Sequence, residues 1–183
     1  MNKAFTLIEL LVVTLIIIFL TTLIAPNYKV TQTQLALLRS AQKLSHDLRK
    51  AEAMAMSAKE IGKGIVPAGQ EFYPTGGYGI YLILTSPGNY LLFADCDNNK
   101  TYTTGDICGP TGYKFPELIE TISLESGVTL SSFSTSSPLN IAFSAPDPAV
   151  TITPTSSQVT ITLIAGSRTK TVEVNTAGLI SNP

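Results

Sequence analysis

Residues 5–25 read FTLIELLVVTLIIIFLTTLIA, apolar or hydroxylic at every position except Glu9. A helix of that length runs about 31 Å at about 1.5 Å per residue, close to the roughly 30 Å hydrocarbon core of a bilayer. The stretch therefore predicts a transmembrane helix and a single-pass membrane protein. Its many β-branched residues do not oppose a helix, because in lipid every backbone polar group must be paired internally. Glu9 is the anomaly. A carboxylate in hydrocarbon costs about 2.5–3.5 kcal/mol unless it is paired or snorkels outward. With no cation inside the segment, its partner is expected from another molecule or from an amino terminus. A cleaved secretory signal fits poorly, since Leu23 and Ala25 make a weak site before Pro26 and the apolar run is too long. Lipid attachment would need an early cysteine, and the first is Cys96.

Charge divides the chain in two. Residues 1–63 hold eight Lys and Arg against four Asp and Glu, a balance of +4, and residues 64–183 hold four against nine, a balance of −5. This predicts a basic rod followed by a mildly acidic, Ser/Thr-rich domain, divided near Gly62-Lys63-Gly64. A single His and a charged content of 14% leave little for acid/base chemistry near neutral pH. The acidic back end argues against general nucleic-acid binding.

Met1-Asn2-Lys3-Ala4 followed by Phe5-Thr6-Leu7-Ile8-Glu9-Leu10-Leu11-Val12-Val13 resembles the amino terminus of the type IV pilin and type II secretion pseudopilin superfamily. The resemblance implies a four-residue leader, cleavage between Ala4 and Phe5 by prepilin peptidase, N-methylation of Phe5, and a location in the inner or cytoplasmic membrane before assembly into a pilus or pseudopilus, with the β domain outside the cytoplasm. The residue before the cut is Ala4, where that family usually carries Gly. The resemblance also makes Glu9, fifth after the cut, the carboxylate that neutralises a neighbouring subunit's amino terminus. Pro26, twenty-second after the cut, matches the family's helix-kinking proline, although a proline there could also end the helix. The implied partners are other pilin or pseudopilin subunits, the peptidase, an inner-membrane assembly platform and the bilayer, with no specific nucleic acid. Leu48-Arg49-Lys50-Ala51-Glu52-Ala53-Met54-Ala55 is similar to the helix of H-type minor pseudopilins and FimT-like proteins, which typically carry Arg where this chain has Glu52.

Beyond Pro26, residues 28–59 contain no Gly or Pro, and Leu37, Ala41, Leu44, Leu48, Ala51 and Ala55 recur at spacings of four and three. This is one apolar stripe of an amphipathic helix, with Arg39, Lys43, His46, Asp47, Arg49 and Lys50 on the other faces. The stripe is expected under a C-terminal domain, and a two-chain coiled coil is the competing reading. His46 reads as a solvated side chain. From residue 78 the period becomes two, with strands predicted at 78–84, 89–93, 119–124, 128–133, 139–143, 150–153, 159–164 and 169–174. Hairpins are predicted at Pro87-Gly88, Gly127 and Gly166. The fold class expected is α+β and pilin-like: a long N-terminal helix, membrane half plus amphipathic half, packed on a C-terminal antiparallel β-sheet domain in two layers. The organisation is leader 1–4, transmembrane and assembly helix 5–25, amphipathic helix 26–63, and exported antiparallel β domain 64–183.

The densest oxygen-bearing segment is Asp95-Cys96-Asp97-Asn98-Asn99-Lys100-Thr101 through Asp106. With Asp95 as position 1, Asp97 and Asn99 fall at 3 and 5, the Thr101 carbonyl at 7 and Asp106 at 12, the ligand order of an EF-hand loop. Lys100 stands where such loops carry Gly, and the flanks are strand-like. Two readings are open: a calcium loop, or an Asx-rich turn that satisfies its own backbone. Cys96 and Cys108, the only cysteines, bracket the loop and are expected to form a disulfide, free thiols being the alternative. No cofactor is required, and Ca2+ is the one cation the pattern could hold.

No Ser/His/Asp set, phosphate loop or metal-hydrolase spacing is present, so the chain is not expected to be an enzyme. The leading expectation is a structural subunit, in the minor pilin or pseudopilin class, of a type IV pilus or type II secretion-like filament. The alternative is a membrane-anchored β-domain receptor or adhesin that does not polymerise.

Overall fold

The computed structural model describes residues 5–61, 72–105, 107–109, 115–145 and 149–182, with the side chains of residues 23–30 left outside the description. It opens with a 50-residue helix, α1 (Leu7–Met56). Thr6 is its N-cap, with extended backbone and a side chain that accepts from the Glu9 amide, and this fixes the first helical residue at Leu7. Backbone helix continues through Pro26, so the proline does not end it. Strands follow in order: β1 (Gly77–Leu82), β2 (Asn89–Asp95), β3 (Ile107–Cys108), β4 (Phe115–Pro116), β5 (Leu118–Ser123), β6 (Thr129–Phe133), β7 (Leu139–Ser144), β8 (Ala149–Thr153), β9 (Gln158–Ala165), β10 (Arg168–Asn175) and β11 (Ile180–Ser181).

These strands build three antiparallel sheets. One has five strands in the order β5-β2-β1-β7-β8, one has four in the order β11-β10-β9-β6, and β3 pairs with β4 alone. Two predicted hairpins are present, β1 with β2 across Pro87-Gly88 and β9 with β10 across Gly166. The third is not: β5 pairs with β2 and β6 with β9, so the Gly127 turn, with φ +81°, carries the chain from one sheet to the other.

The predicted stripe of α1 is the centre of the core. Leu37, Ala41, Leu44, Leu48, Ala51 and Ala55 are all buried, and the helix touches β1 and β7 of the larger sheet and β9, β10 and β11 of the smaller one. Period-two burial supplies the opposing surface, with Val159, Ile161 and Leu163 pointing inward from β9 and Val172 and Val174 from β10. The flanks of the helix hook both sheets. Lys43 Nζ donates to the Ser123 carbonyl and Lys50 Nζ to Glu120 on β5, while Arg49 donates to the Ile180 carbonyl on β11. Asp47, expected on the polar face, is buried and accepts the Tyr90 hydroxyl at 2.7 Å, which satisfies a carboxylate that would otherwise be costly to bury. His46 is solvated, as expected, with a side chain 79% exposed.

The expected fold class is corrected. The helix does not lie on one antiparallel sheet; the strands form three antiparallel sheets, and α1 bridges two of them. The transmembrane expectation is also corrected: among the described residues, no helix is long and apolar enough to cross a membrane. The membrane-crossing segment at 5–25, the single-pass location in an inner or cytoplasmic membrane, and the pilin label so far as it requires such a span are therefore withdrawn.

Candidate functional site

Two places carry chemistry beyond core packing: the uncovered front of α1 and the loop that follows β2. In the first, Phe5 is 80% exposed and Leu7 84%, and every large apolar side chain from Ile8 to Leu20 is also open. They lie on all faces of the helix, so no orientation against a single surface would hide them. Contiguous apolar surface on this scale marks an interaction site. Thr14, Thr21 and Thr22 return their hydroxyls to the carbonyls of Leu11, Ile17 and Phe19, which leaves few donors pointing outward.

Glu9 sits at the base of this segment. Its carboxylate accepts the Thr6 amide at 2.9 Å and the Thr6 hydroxyl at 2.8 Å, and the Glu9 amide donates to Thr6 Oγ1. This is a reciprocal capping box, favoured further by the positive end of the helix dipole. The two bonds from Thr6, the backbone one foremost, hold the carboxyl below its ordinary range. Glu9 thus has a partner inside its own segment, contrary to the sequence expectation. The Thr-x-x-Glu spacing was the signal that could have revealed it. Phe5 is described, while Ala4 on the other side of the expected cut and the side chain of Pro26 lie outside the described residues.

The loop after β2 is tied by its own donors. Asp95, fully buried, accepts the amides of Asn99 at 3.1 Å and Lys100 at 2.9 Å, and the Lys100 ammonium lies 3.8 Å away. Asp97 accepts the amide and the side-chain amide of Asn99, and Asn99 Oδ1 accepts the Thr101 amide and hydroxyl. Lys100 takes a left-handed backbone, φ +64°, at the position where an EF-hand has Gly, and its ammonium also donates to the Gly76 carbonyl and Ser144 Oγ, each at 2.8 Å. Gly76 has no room for a side chain, since a Cβ there would stand 1.8 Å from Asp95 Oδ2. Burial raises the Asp95 carboxyl above its ordinary 3.8, with the Lys100 amide and ammonium pulling the other way.

Glu117, missed in the sequence, closes this arrangement. Its side chain is buried and accepts the amides of Cys96 and Thr103, and its carboxylate gathers with those of Asp95 and Asp97 within 4.8 Å. Twenty-two residues separate Glu117 from Asp95, and the backbone contact from the Ala94 amide to the Glu117 carbonyl helps bring them together. Of the five expected calcium ligands, Asp95 and Asp97 converge. Asn99 Oδ1 is taken by the Thr101 amide and hydroxyl, and Asp106 lies outside the described residues. The Cys96–Cys108 disulfide is present, with Cα atoms 5.4 Å apart. Tyr102 then folds over the outer face of β1 and β2, its ring 5.2 Å from Tyr81 and 5.9 Å from Phe93. Burial, and secondarily Tyr102, raises the Tyr81 hydroxyl. The loop is thus a lid on the larger sheet, with its acidic oxygens largely engaged by protein donors.

No family model, no curated protein and no solved structure matches the chain.

Proposed function

We infer that the chain is a structural subunit of a filament of the type IV pilus or type II secretion-like kind, processed by prepilin peptidase between Ala4 and Phe5 and assembled through α1. The observation that carries this reading is the front of α1, its large apolar side chains uncovered from Phe5 to Leu20 on all faces, while the stripe from Leu37 to Ala55 of the same helix is locked into a packed core. Such a helix is covered most completely by parallel copies of itself, because each copy offers the same surface all the way round. Glu9 is the one acidic residue between Phe5 and His46, so its charge is a singular registration mark within that bundle.

The role needs no catalytic group. The β domain supplies a folded outer layer, and the disulfide and the closed acidic loop keep that layer compact. Assembly of the full-length chain on detergent removal is the test, read by sedimentation and negative-stain microscopy. Linear particles whose chains begin at N-methylated Phe5 are expected; a dispersed monomer refutes assembly, and particles built of chains retaining Met1 refute the processing. Glu9→Gln separates the two roles of that residue. Gln keeps an acceptor for the Thr6 amide but carries no charge, so loss of assembly in Glu9→Gln assigns the effect to the charge and not to the cap.

A further inference from the structure

Where α1 enters the β domain, Leu35, Leu37 and Leu38 floor an open groove of about 460 Å3, walled by the tip of the β9–β10 hairpin. Leu37 is buried, but Leu35 and Leu38 remain open to solvent. Arg168 and Lys170 stand on the hairpin side of the groove. The lining is thus apolar below and cationic at the rim, at a size ordinary for binding a few side chains.

The front of α1 offers the complementary surface: Phe5 and Ile8, both exposed, with the Glu9 carboxylate beside them. The same chain cannot fill its own groove. Glu9 and Leu35 are 26 residues apart on one continuous helix, about 39 Å at 1.5 Å per residue. The occupant is therefore another copy.

We propose that this groove receives the N-terminal turn of a second copy, Phe5 and Ile8 seating on Leu35 and Leu38 while Glu9 faces Arg168 and Lys170. The proposal rests on the filament reading above and deepens it, because it fixes how far one copy is displaced along its neighbour, about 39 Å. It also makes the contact heterologous: the front of one copy meets the groove of the next, and with an axial displacement between copies such a contact builds an open filament and not a ring. Opposite charge at the rim sets the register, and apolar burial holds it.

Inter-copy cross-linking of the full-length chain tests it. One tagged chain carries Ile8→Cys and an untagged chain carries Leu38→Cys. Both native cysteines are engaged with each other, leaving the introduced thiols to react. After assembly and mild oxidation a mixed cross-linked species is expected. Arg168→Glu with Lys170→Glu in the Leu38→Cys chain should lower its yield about tenfold, and Glu9→Lys in the Ile8→Cys chain should restore it. A parallel Ile16→Cys chain reports on helix packing alone. Links at 16 without the 8–38 product, or an 8–38 yield indifferent to charge reversal, would overturn the groove and leave the filament standing. Absence of both products would overturn both.

Discussion

Replacing Lys100 by Met removes a cation from beside a fully buried carboxylate and keeps the length of the side chain. The ammonium lies 3.8 Å from Asp95 and also donates to Gly76 O and Ser144 Oγ. At that distance Coulomb's law with an effective dielectric of about 20 gives about 4 kcal/mol. The Lys100 side chain is 22% exposed, so water supplies part of this screening, and Asp95 keeps the amides of Asn99 and Lys100 after the substitution. A net loss of about 2–3 kcal/mol at pH 7 is expected, which at about 3 °C per kcal/mol lowers the Tm by about 6–9 °C.

The pH dependence makes the cause identifiable. Burial raises the Asp95 carboxyl above its ordinary 3.8, so the folded state holds that proton more tightly than the unfolded state. The contribution of Asp95 to stability therefore falls as pH rises from about 3.8 through the higher folded value, and protonation below that window removes the penalty. Without Lys100 the folded value rises further, and the penalty grows most at pH 7 and least at pH 4, where protonation limits it. Thermal unfolding of the full-length chain in non-ionic detergent, followed by near-UV circular dichroism at the two pH values, is the assay. The Tm deficit of Lys100→Met should be about half as large at pH 4, and adding Asp95→Asn should recover part of the deficit at pH 7. An equal deficit at both pH values, with no recovery in the double variant, would refute the ion-pair account and leave only lost side-chain packing.

Three further outcomes follow from the same packing. Tyr90→Phe leaves the buried Asp47 carboxylate without its hydroxyl donor and should cost about 1.5–3 kcal/mol in chemical denaturation, with Asp47→Asn in the same background recovering part of it. Cys96→Ser with Cys108→Ser should lower stability by about 2–3 kcal/mol, and dithiothreitol should then shift the parent chain but not the variant. Asp97→Ala should lower the Tm by the same amount in Ca2+ and in chelator, because the Asn99 amide and side chain already occupy its oxygens. A deficit seen only with Ca2+ would instead make this loop a cation site.

The parts of the fold that the sequence made legible are those governed by one-dimensional periodicity. The stripe from Leu37 to Ala55 and the alternation along β9 depend on spacing alone, and both are buried as spacing requires. Pairing is decided in three dimensions and was less legible. Gly127 looks like any hairpin glycine, yet Leu118–Ser123 and Thr129–Phe133 go to different sheets. The two-residue strands β3, β4 and β11 are too short to carry a period at all. Chemistry followed the same division. Cys96, Cys108, Asp95 and Asp97 were visible as a local cluster, and Thr6 with Glu9 was visible in principle as a capping pattern. Glu117 and the Tyr90 partner of Asp47 were not, since nothing local marks a carboxylate that will be buried against a distant segment.

The continuity of α1 has a mechanical consequence. A tension applied at its uncovered end runs along a single helix into the middle of the domain, where Lys43 and Lys50 grip β5 on one flank and Arg49 grips β11 on the other. The load is shared between two sheets and acts parallel to the buried stripe, so that its leucines must slide together instead of peeling away one at a time. A domain strung on such a helix resists traction as a shear joint, and yields only when both grips fail at once.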